Sequence, residues 1–255
     1  EREGRKSYLA GTAHFFPYSF KTSLKKYISG VKTVLLEGPL DESAMSRVVE
    51  QGSRGEEGSS LYAALDARTI IEISKELYPS RGLSSFASYL DILKREPSEQ
   101  LYNQIKGLRP WMTFFSIWSH YLKKRGWKYT MDLDAFRIAK DLGKNVYYLE
   151  KIEDQIEALD GIPLERIVNF LKKIGHWEKY MHYYVKRYLS GNLEELMSAT
   201  GEFPTRCESV IDRRDPILYE RMKVFLEKGD AIAIVGITHI PGVKKMLLED
   251  GYKLL

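Results

Sequence analysis

Two histidines, His14 and His239, each stand three residues after a glycine at the end of a short apolar run: Leu9-Ala10-Gly11-Thr12-Ala13-His14 and Ile234-Val235-Gly236-Ile237-Thr238-His239. A pair of imidazoles with carboxylates nearby can hold a divalent metal or carry out acid–base catalysis. Two carboxylates qualify by position. Glu37 closes the run Thr33-Val34-Leu35-Leu36, and Glu150 closes Asn145-Val146-Tyr147-Tyr148-Leu149. Arg214, just ahead of a helix whose first turn holds Pro216, has the chemistry to bind a carboxylate or steady an oxyanion. A salt bridge to Asp212, Asp215 or Glu220 accounts for it equally well. Gly11 and Gly236 carry no side chain, so backbone or substrate can approach them closely. A lone histidine after a strand is usually structural; the repeated Gly-x-x-His spacing is what points to shared use.

The elements that must position these residues follow from periodicity. Apolar runs of this length without helical spacing read as buried strands, and open α/β sheets collect their ligands beyond the strand ends. A helix from Ser19 to Ser29 between the first two runs makes a βαβ unit, which sets the strands parallel and brings His14 and Glu37 to one edge. Near the other end, a helix from Ile217 to Glu227, a strand from Ala231 to Ile237 and a helix from Val243 to Glu249 repeat the order. The two halves thus read as imperfect copies.

Between them, Gln51 to Ser60 is a Gly- and Ser-rich loop, and the apolar spacing from about residue 61 to 130 predicts a helical insertion. Leu90, Ile92 and Leu93 belong to that pattern, as does Trp111 to Leu122, apolar on most sides. Met131-Asp132-Leu133-Asp134 is expected to open a helix over Ala135 to Leu142, with Asp132 or Asp134 as N-cap, and Ile167 to Leu189 reads as one long helical stretch. The fold class is therefore α/β, a mostly parallel central sheet with two βα-type halves and a helical insertion, in a single domain spanning 1–255.

Composition excludes several functions. With 44% hydrophobic and 29% charged residues over 255 positions, the chain has enough apolar side chains for a full core. The formal charge of +4 comes from scattered lysines and arginines interleaved with acids, which argues against a nucleic-acid partner. The single cysteine, Cys207, rules out an intrachain disulfide and a Cys-rich zinc site. No apolar run reaches the ~18 residues of a membrane span. The start at Glu1 fits a processed chain that has lost a signal or anchor, so cytoplasmic, periplasmic and membrane-associated locations all stay open, as does the oligomeric state. His120, His176 and His182 lie in helical stretches among aromatics and are expected to pack or face solvent. There is no nucleophile elbow, phosphate loop or dinucleotide fingerprint.

Five stretches, in order, resemble the TraB/PrgY/GumN family, which is related to the TIKI metalloproteases and more remotely to erythromycin esterase and ChaN-like proteins. They are YLAGTAHFFP, VLLEG, MDLDAFRIAKDLGKNVYYLEKIEDQ, RRDPILYERM and IAIVGITHIPGVKKMLLEDGYKL. The resemblance implies an erythromycin esterase/ChaN-like fold and a metal-assisted hydrolase acting on peptides. Mn²⁺ or Co²⁺ is the expected ion, with Zn²⁺ as an option. It places His14, Glu37, Arg214 and His239 at the active site, with Asp132, Glu150 and Gln155 in support. His14, His239 and Glu37 would hold the metal, Glu37 serving alternatively as general base. One departure is Arg213, where the family carries an acid before the arginine. Two rival expectations stand beside the peptidase: a non-catalytic protein that binds or sequesters peptides of the pheromone kind, and a metal-free His/Glu hydrolase like the esterases. The partner is a peptide or small-molecule substrate in each case.

Overall fold

A computed structural model of the chain describes residues 1, 4–54, 60–78 and 97–255. The expectations for Leu90, Ile92 and Leu93, and for residues 55–59 of the loop, lie outside the described residues. Four strands form one sheet: β1 (Tyr8–Thr12), β2 (Thr33–Leu36), β3 (Asn145–Tyr148) and β4 (Ala231–Gly236). Their order is β1-β4-β2-β3, and every pairing is parallel. β1 and β2 therefore run parallel as the βαβ reading requires, but they are not neighbours, because the last strand inserts between them.

Helix α1 (Lys21–Ser29) connects β1 to β2. The connection from β2 to β3 carries α2 (Glu42–Gly52), α3 (Ser60–Ala64), α4 (Ala67–Leu77), α5 (Pro97–Ile105), α6 (Pro110–Lys124) and α7 (Met131–Asp141). From β3 to β4 run α8 (Ile152–Asp160), α9 (Leu164–Leu171), α10 (Trp177–Ser190), α11 (Leu193–Ala199) and α12 (Asp215–Leu226). Helix α13 (Ile240–Glu249) follows β4.

Alternation along the central strands builds two apolar layers. Ala231, Ala233, Val235 and Leu35 face Leu218 and Met222 of α12 and Val243 and Leu247 of α13. Ile232, Ile234, Val34 and Leu36 face Leu24 and Ile28 of α1 and Ala135 and Ala139 of α7. Because both faces of β4 are covered, all six of its residues are buried, which is why it reads as a continuous apolar run.

A third cluster is helical, and residues just past three strand ends enter it: Ala13 and Phe16 after β1, Ala44 after β2 and Ile152 after β3. The helical part of the chain therefore sits over the carboxyl edge of the sheet. Phe16 anchors this contact, fully buried among Phe20, Trp127, Tyr184 and Tyr188. Burying a phenylalanine contributes roughly 1.5–3 kcal/mol.

Two local expectations are corrected. The stretch from Ile167 to Leu189 is interrupted: α9 stops at Leu171, a 3₁₀ turn covers Ile174–His176, and α10 begins at Trp177. The break lets Trp177 fold back so that its Nε1 donates to the carbonyl of Phe170 (3.1 Å), where the two rings stack. Helix α7 starts at Met131 behind Thr130, so neither Asp132 nor Asp134 caps it. Both point sideways instead, Asp134 towards Lys21 Nζ at 3.5 Å.

Candidate functional site

The register of the sheet aligns the two glycine corners. Gly11 pairs with Val235 and Thr12 with Gly236, while Leu36 pairs with Ile234, so His14, Glu37 and His239 all follow strand ends at one edge. Glu150 joins them through its backbone N–H, which donates to the carbonyl of Glu37 (2.9 Å).

Arg214, the residue before α12, is the hub. Its Nη2 donates to Glu37 Oε1 and to Glu150 Oε2, both at 2.5 Å, and its Nε to Glu150 Oε1 at 3.0 Å. Burial alone would lower the guanidinium pKa, but the hydrogen bonds and charges of Glu150 and Glu37 prevail and raise it. None of the three partners considered from sequence, Asp212, Asp215 and Glu220, is the one Arg214 takes. Its Nη1 makes only long contacts, 3.3 Å to the carbonyl of Val210 and 3.4 Å to His239 Nε2. Both contacts are long enough for an incoming oxygen to displace one of them.

Glu37 is fixed on its other oxygen by the backbone N–H of Gly236, which donates to Oε2 at 2.7 Å. Burial raises the carboxyl pKa, and His239, Arg214, His14 and the Gly236 N–H together outweigh it, leaving Glu37 at about 2. A β-carbon on Gly236 would stand 3.3 Å from Glu37 Oε2, tighter than ordinary contact, so the glycine keeps that bond short. At Gly11, a β-carbon would overlap Ile237 Cδ1. The glycines of the two motifs thus serve close packing at the strand ends.

The two histidines have different surroundings. His239 is buried, and its Nδ1 lies 2.6 Å from Asp215 Oδ1. With Nδ1 held by that carboxylate, Nε2 faces the sheet edge, 3.8 Å from Glu37 Oε1. His14 is 71% exposed at the side chain, with Nδ1 2.9 Å from Asp132 Oδ2. The charge of Asp132, assisted by Glu37 and opposed by desolvation and Arg214, raises His14 to about 9. Thr12 Oγ1 in turn donates to Asp132 Oδ1 (2.5 Å).

From sequence, Asp215 is considered only as a partner for Arg214 and Gly242 is given no role; the structure brings both to His239. A β-carbon on Gly242, in the first turn of α13, would overlap Asp215 Oδ2, so the glycine makes room for the His239 partner. The readable signal was adjacency, Asp215 directly following Arg214 and Gly242 following Pro241. Gln155 packs its amide against Gly38, the residue after Glu37, within 2.5–2.6 Å of where a β-carbon would be. Arg213, in the place of the family acid, turns away and donates from Nε to Glu208 Oε1 at 3.0 Å. Glu37 and Glu150 do the orienting of Arg214. His120 packs on Tyr78 and His182 on the carbonyl of Glu178, away from this edge. A cavity of about 760 Å³ along β3 is lined by Glu150 but by none of His14, Glu37, Arg214 and His239, so the convergence of side chains rather than that cavity marks the site.

His239 Nε2 and Glu37 Oε1 converge, yet among the described residues no three His, Cys, Asp or Glu side chains come together as ligands. The guanidinium of Arg214 already bridges Glu37 and Glu150 and aims an N–H at the Nε2 lone pair. A cation thus stands where a metal would draw its ligands, and the residues as arranged do not fit a three-ligand centre.

The chain's titration follows with definite signs. Glu37, depressed from an ordinary 4.5 to about 2, stabilises the fold fully above pH 4.5 and loses that contribution as pH falls towards 2. The shift corresponds to about 3 kcal/mol. His14, raised from 6.5 to about 9, contributes fully below pH 6.5 and loses it as pH rises through 9. Stability measured by denaturant unfolding should therefore fall steeply from pH 5 to pH 2 in the parent and more shallowly in Glu37→Gln. Parallel slopes would mean that Glu37 is not the titrating group.

Among the described residues no helix is long and apolar enough to cross a membrane. Compared with known proteins, the chain matches no curated protein and no solved structure. A family profile does match, and it runs from residue 1 to residue 254, taking in every strand of the sheet and every side chain gathered at its edge. On that match the chain belongs to the TraB/PrgY/gumN family.

Proposed function

We propose that this chain is a hydrolase that cleaves peptide bonds, with His239 as general base. The buried Asp215–His239 pair carries the reading, because it turns Nε2 towards a carboxylate and a guanidinium at one sheet edge, where only the long 3.4 Å contact from Arg214 Nη1 meets it. A water held between Nε2 and Glu37 Oε1 gives its proton to Nε2 as its oxygen attacks the carbonyl carbon. Arg214 Nη1 donates to the oxygen that gains charge. The C–N bond then breaks, and the amine leaves with a proton from His14, which stays protonated up to about pH 9. Glu37 is held near pKa 2 with both oxygens bonded, which suits an anchor for water and Arg214 better than a base. The peptide as substrate rests on the TIKI resemblance.

A second reading has a divalent ion, Mn²⁺, Co²⁺ or Zn²⁺, on His14, His239 and Glu37. It is favoured by one observation: each imidazole is held at Nδ1 by a carboxylate, leaving Nε2 outward, as metal-ligating histidines often are. The position of Arg214 argues against it.

One experiment separates these readings. A mixed peptide pool is incubated with purified protein, with chelator and with each ion in turn, and products are read by mass spectrometry. Cleavage that persists in chelator and falls at least ~100-fold in His239→Ala is the expected result. Cleavage only with added ion selects the second reading. Return of every peptide uncut under all conditions removes the hydrolase and leaves a peptide-binding protein.

A further inference from the structure

Arg206 is a half-buried cation with no carboxylate partner among the described residues. Its side chain makes one bond there, from Nη2 to Thr200 Oγ1 at 2.6 Å. Burial lowers its pKa, with the phenols of Tyr180 and Tyr184 acting in the opposite direction. A guanidinium withdrawn from water without a counter-ion is costly, and folded proteins ordinarily pair it.

The groups around Arg206 connect it to the sheet edge. Tyr180, Tyr184 and Tyr188 stand four residues apart on α10 and so share one face. Tyr188 OH donates to the carbonyl of Gly11 (2.8 Å), at the start of the first Gly-x-x-His corner. Tyr184 stacks on Tyr188 (6.1 Å, 21°), and the charges of both Arg206 and Asp132 act on it. Tyr180 stacks on Phe203 near Arg206 (6.0 Å, 12°). Among the described residues the hydroxyls of Tyr180 and Tyr184 have no hydrogen-bond partner, so they remain able to donate. A cavity of about 210 Å³ opens at this end, lined by Tyr180, Tyr184, Thr200, Lys179 and His176 among others, with no acidic side chain; Arg206 stands behind that lining, bonded to Thr200. From Tyr180 to Tyr188 the helix rises about 12 Å. An extended peptide covers that in roughly three to four residues.

We propose that Arg206, together with the hydroxyls of Tyr180 and Tyr184, binds a substrate carboxylate at least about three residues from the reacting bond. The carboxylate is either a peptide C-terminus or an Asp or Glu side chain. The position in a substrate rests on the hydrolase reading; the anion site itself does not.

The test uses N-acetylated hexapeptides of uncharged residues in three forms: C-terminal acid, C-terminal amide, and amide with one internal glutamate. Equilibrium dialysis against the full chain is read by mass spectrometry, counting intact peptide and fragments. The acid should be retained at least ~10-fold over the plain amide. Equal gain from the internal glutamate assigns the side chain as source, and no gain assigns the C-terminus. Arg206→Gln should abolish the preference, and the double variant Tyr180→Phe/Tyr184→Phe, which keeps the charge, should reduce it about threefold. Both are checked for folding by circular dichroism. Equal retention of all three forms, retention of none, or a preference that survives in folded Arg206→Gln overturns the proposal. Acid preference without fragments removes the hydrolase and keeps this site; fragments without acid preference do the reverse.

Discussion

Arg214→Met should unfold with a free energy about 3–5 kcal/mol lower than the parent, the largest stability loss expected of any single change at the sheet edge. Methionine fills much of the same volume, so the loss reflects charge rather than a cavity. Without the guanidinium, Glu37 and Glu150 face each other without the cation they share, and the Gly236 N–H is the hydrogen bond left to Glu37. Two close carboxylates cannot both stay ionised cheaply, so one takes up a proton near neutral pH. The unfolding free energy of the variant should then rise as pH falls from 7 to 5, the reverse of the parent's trend towards acid. Lysine does not substitute, because one ammonium cannot reproduce the fork that meets Glu150 through Nε and Nη2 together. If peptide cleavage is found, it should drop ~10²–10³-fold in either variant through loss of the Nη1 donor. An Arg214→Met protein as stable as the parent at pH 7 would show that the ion network has been misread.

Asp215→Asn is expected to reduce turnover by ~10²–10⁴-fold at a smaller cost in stability than Arg214→Met. The asparagine amide can present an N–H to His239 Nδ1 in place of an acceptor, which moves the ring proton to Nε2 and removes the base. Losing one charge-assisted hydrogen bond costs about 1.5–3 kcal/mol, a smaller loss than expected for Arg214→Met. Gly242→Ala provides an independent route to the same defect. Its β-carbon would collide with Asp215 Oδ2, displacing the carboxylate without changing any ionisable group. Both variants should lose kcat with little change in KM, since neither residue lies where a substrate would be gripped. Loss confined to KM in both would place the Asp215–His239 pair in binding rather than in proton transfer.

The parts of the fold that were legible in advance are those with a local cause. β2 and β4 are apolar because both faces are covered, and α1, α12 and α13 show their buried stripe within a few residues of the expected limits. The parts that were misread depend on distant partners. Trp177 ends what looked like one helix because the cluster of Trp118, Phe170 and Tyr121 draws its ring inward. Asp132 looked like a helix cap, as aspartate before an apolar stretch often is, until Thr12 and His14 claimed it across the sheet edge.

By itself the sequence determined which residues end strands: the two histidines after their glycines, the two glutamates, and the arginine before a helix. Strand ends are set by short-range patterns of apolar residues, and those patterns are written in order along the chain. Tertiary structure alone decided who touches whom. It inserted β4 between β1 and β2, gave Arg214 to Glu37 and Glu150, and gave Asp215 to His239. Neighbouring side chains on one helical turn diverge by about 100°, so adjacency in sequence sends Arg214 and Asp215 to different partners. Which carboxylate each one reaches is fixed only when the sheet register brings distant strand ends side by side.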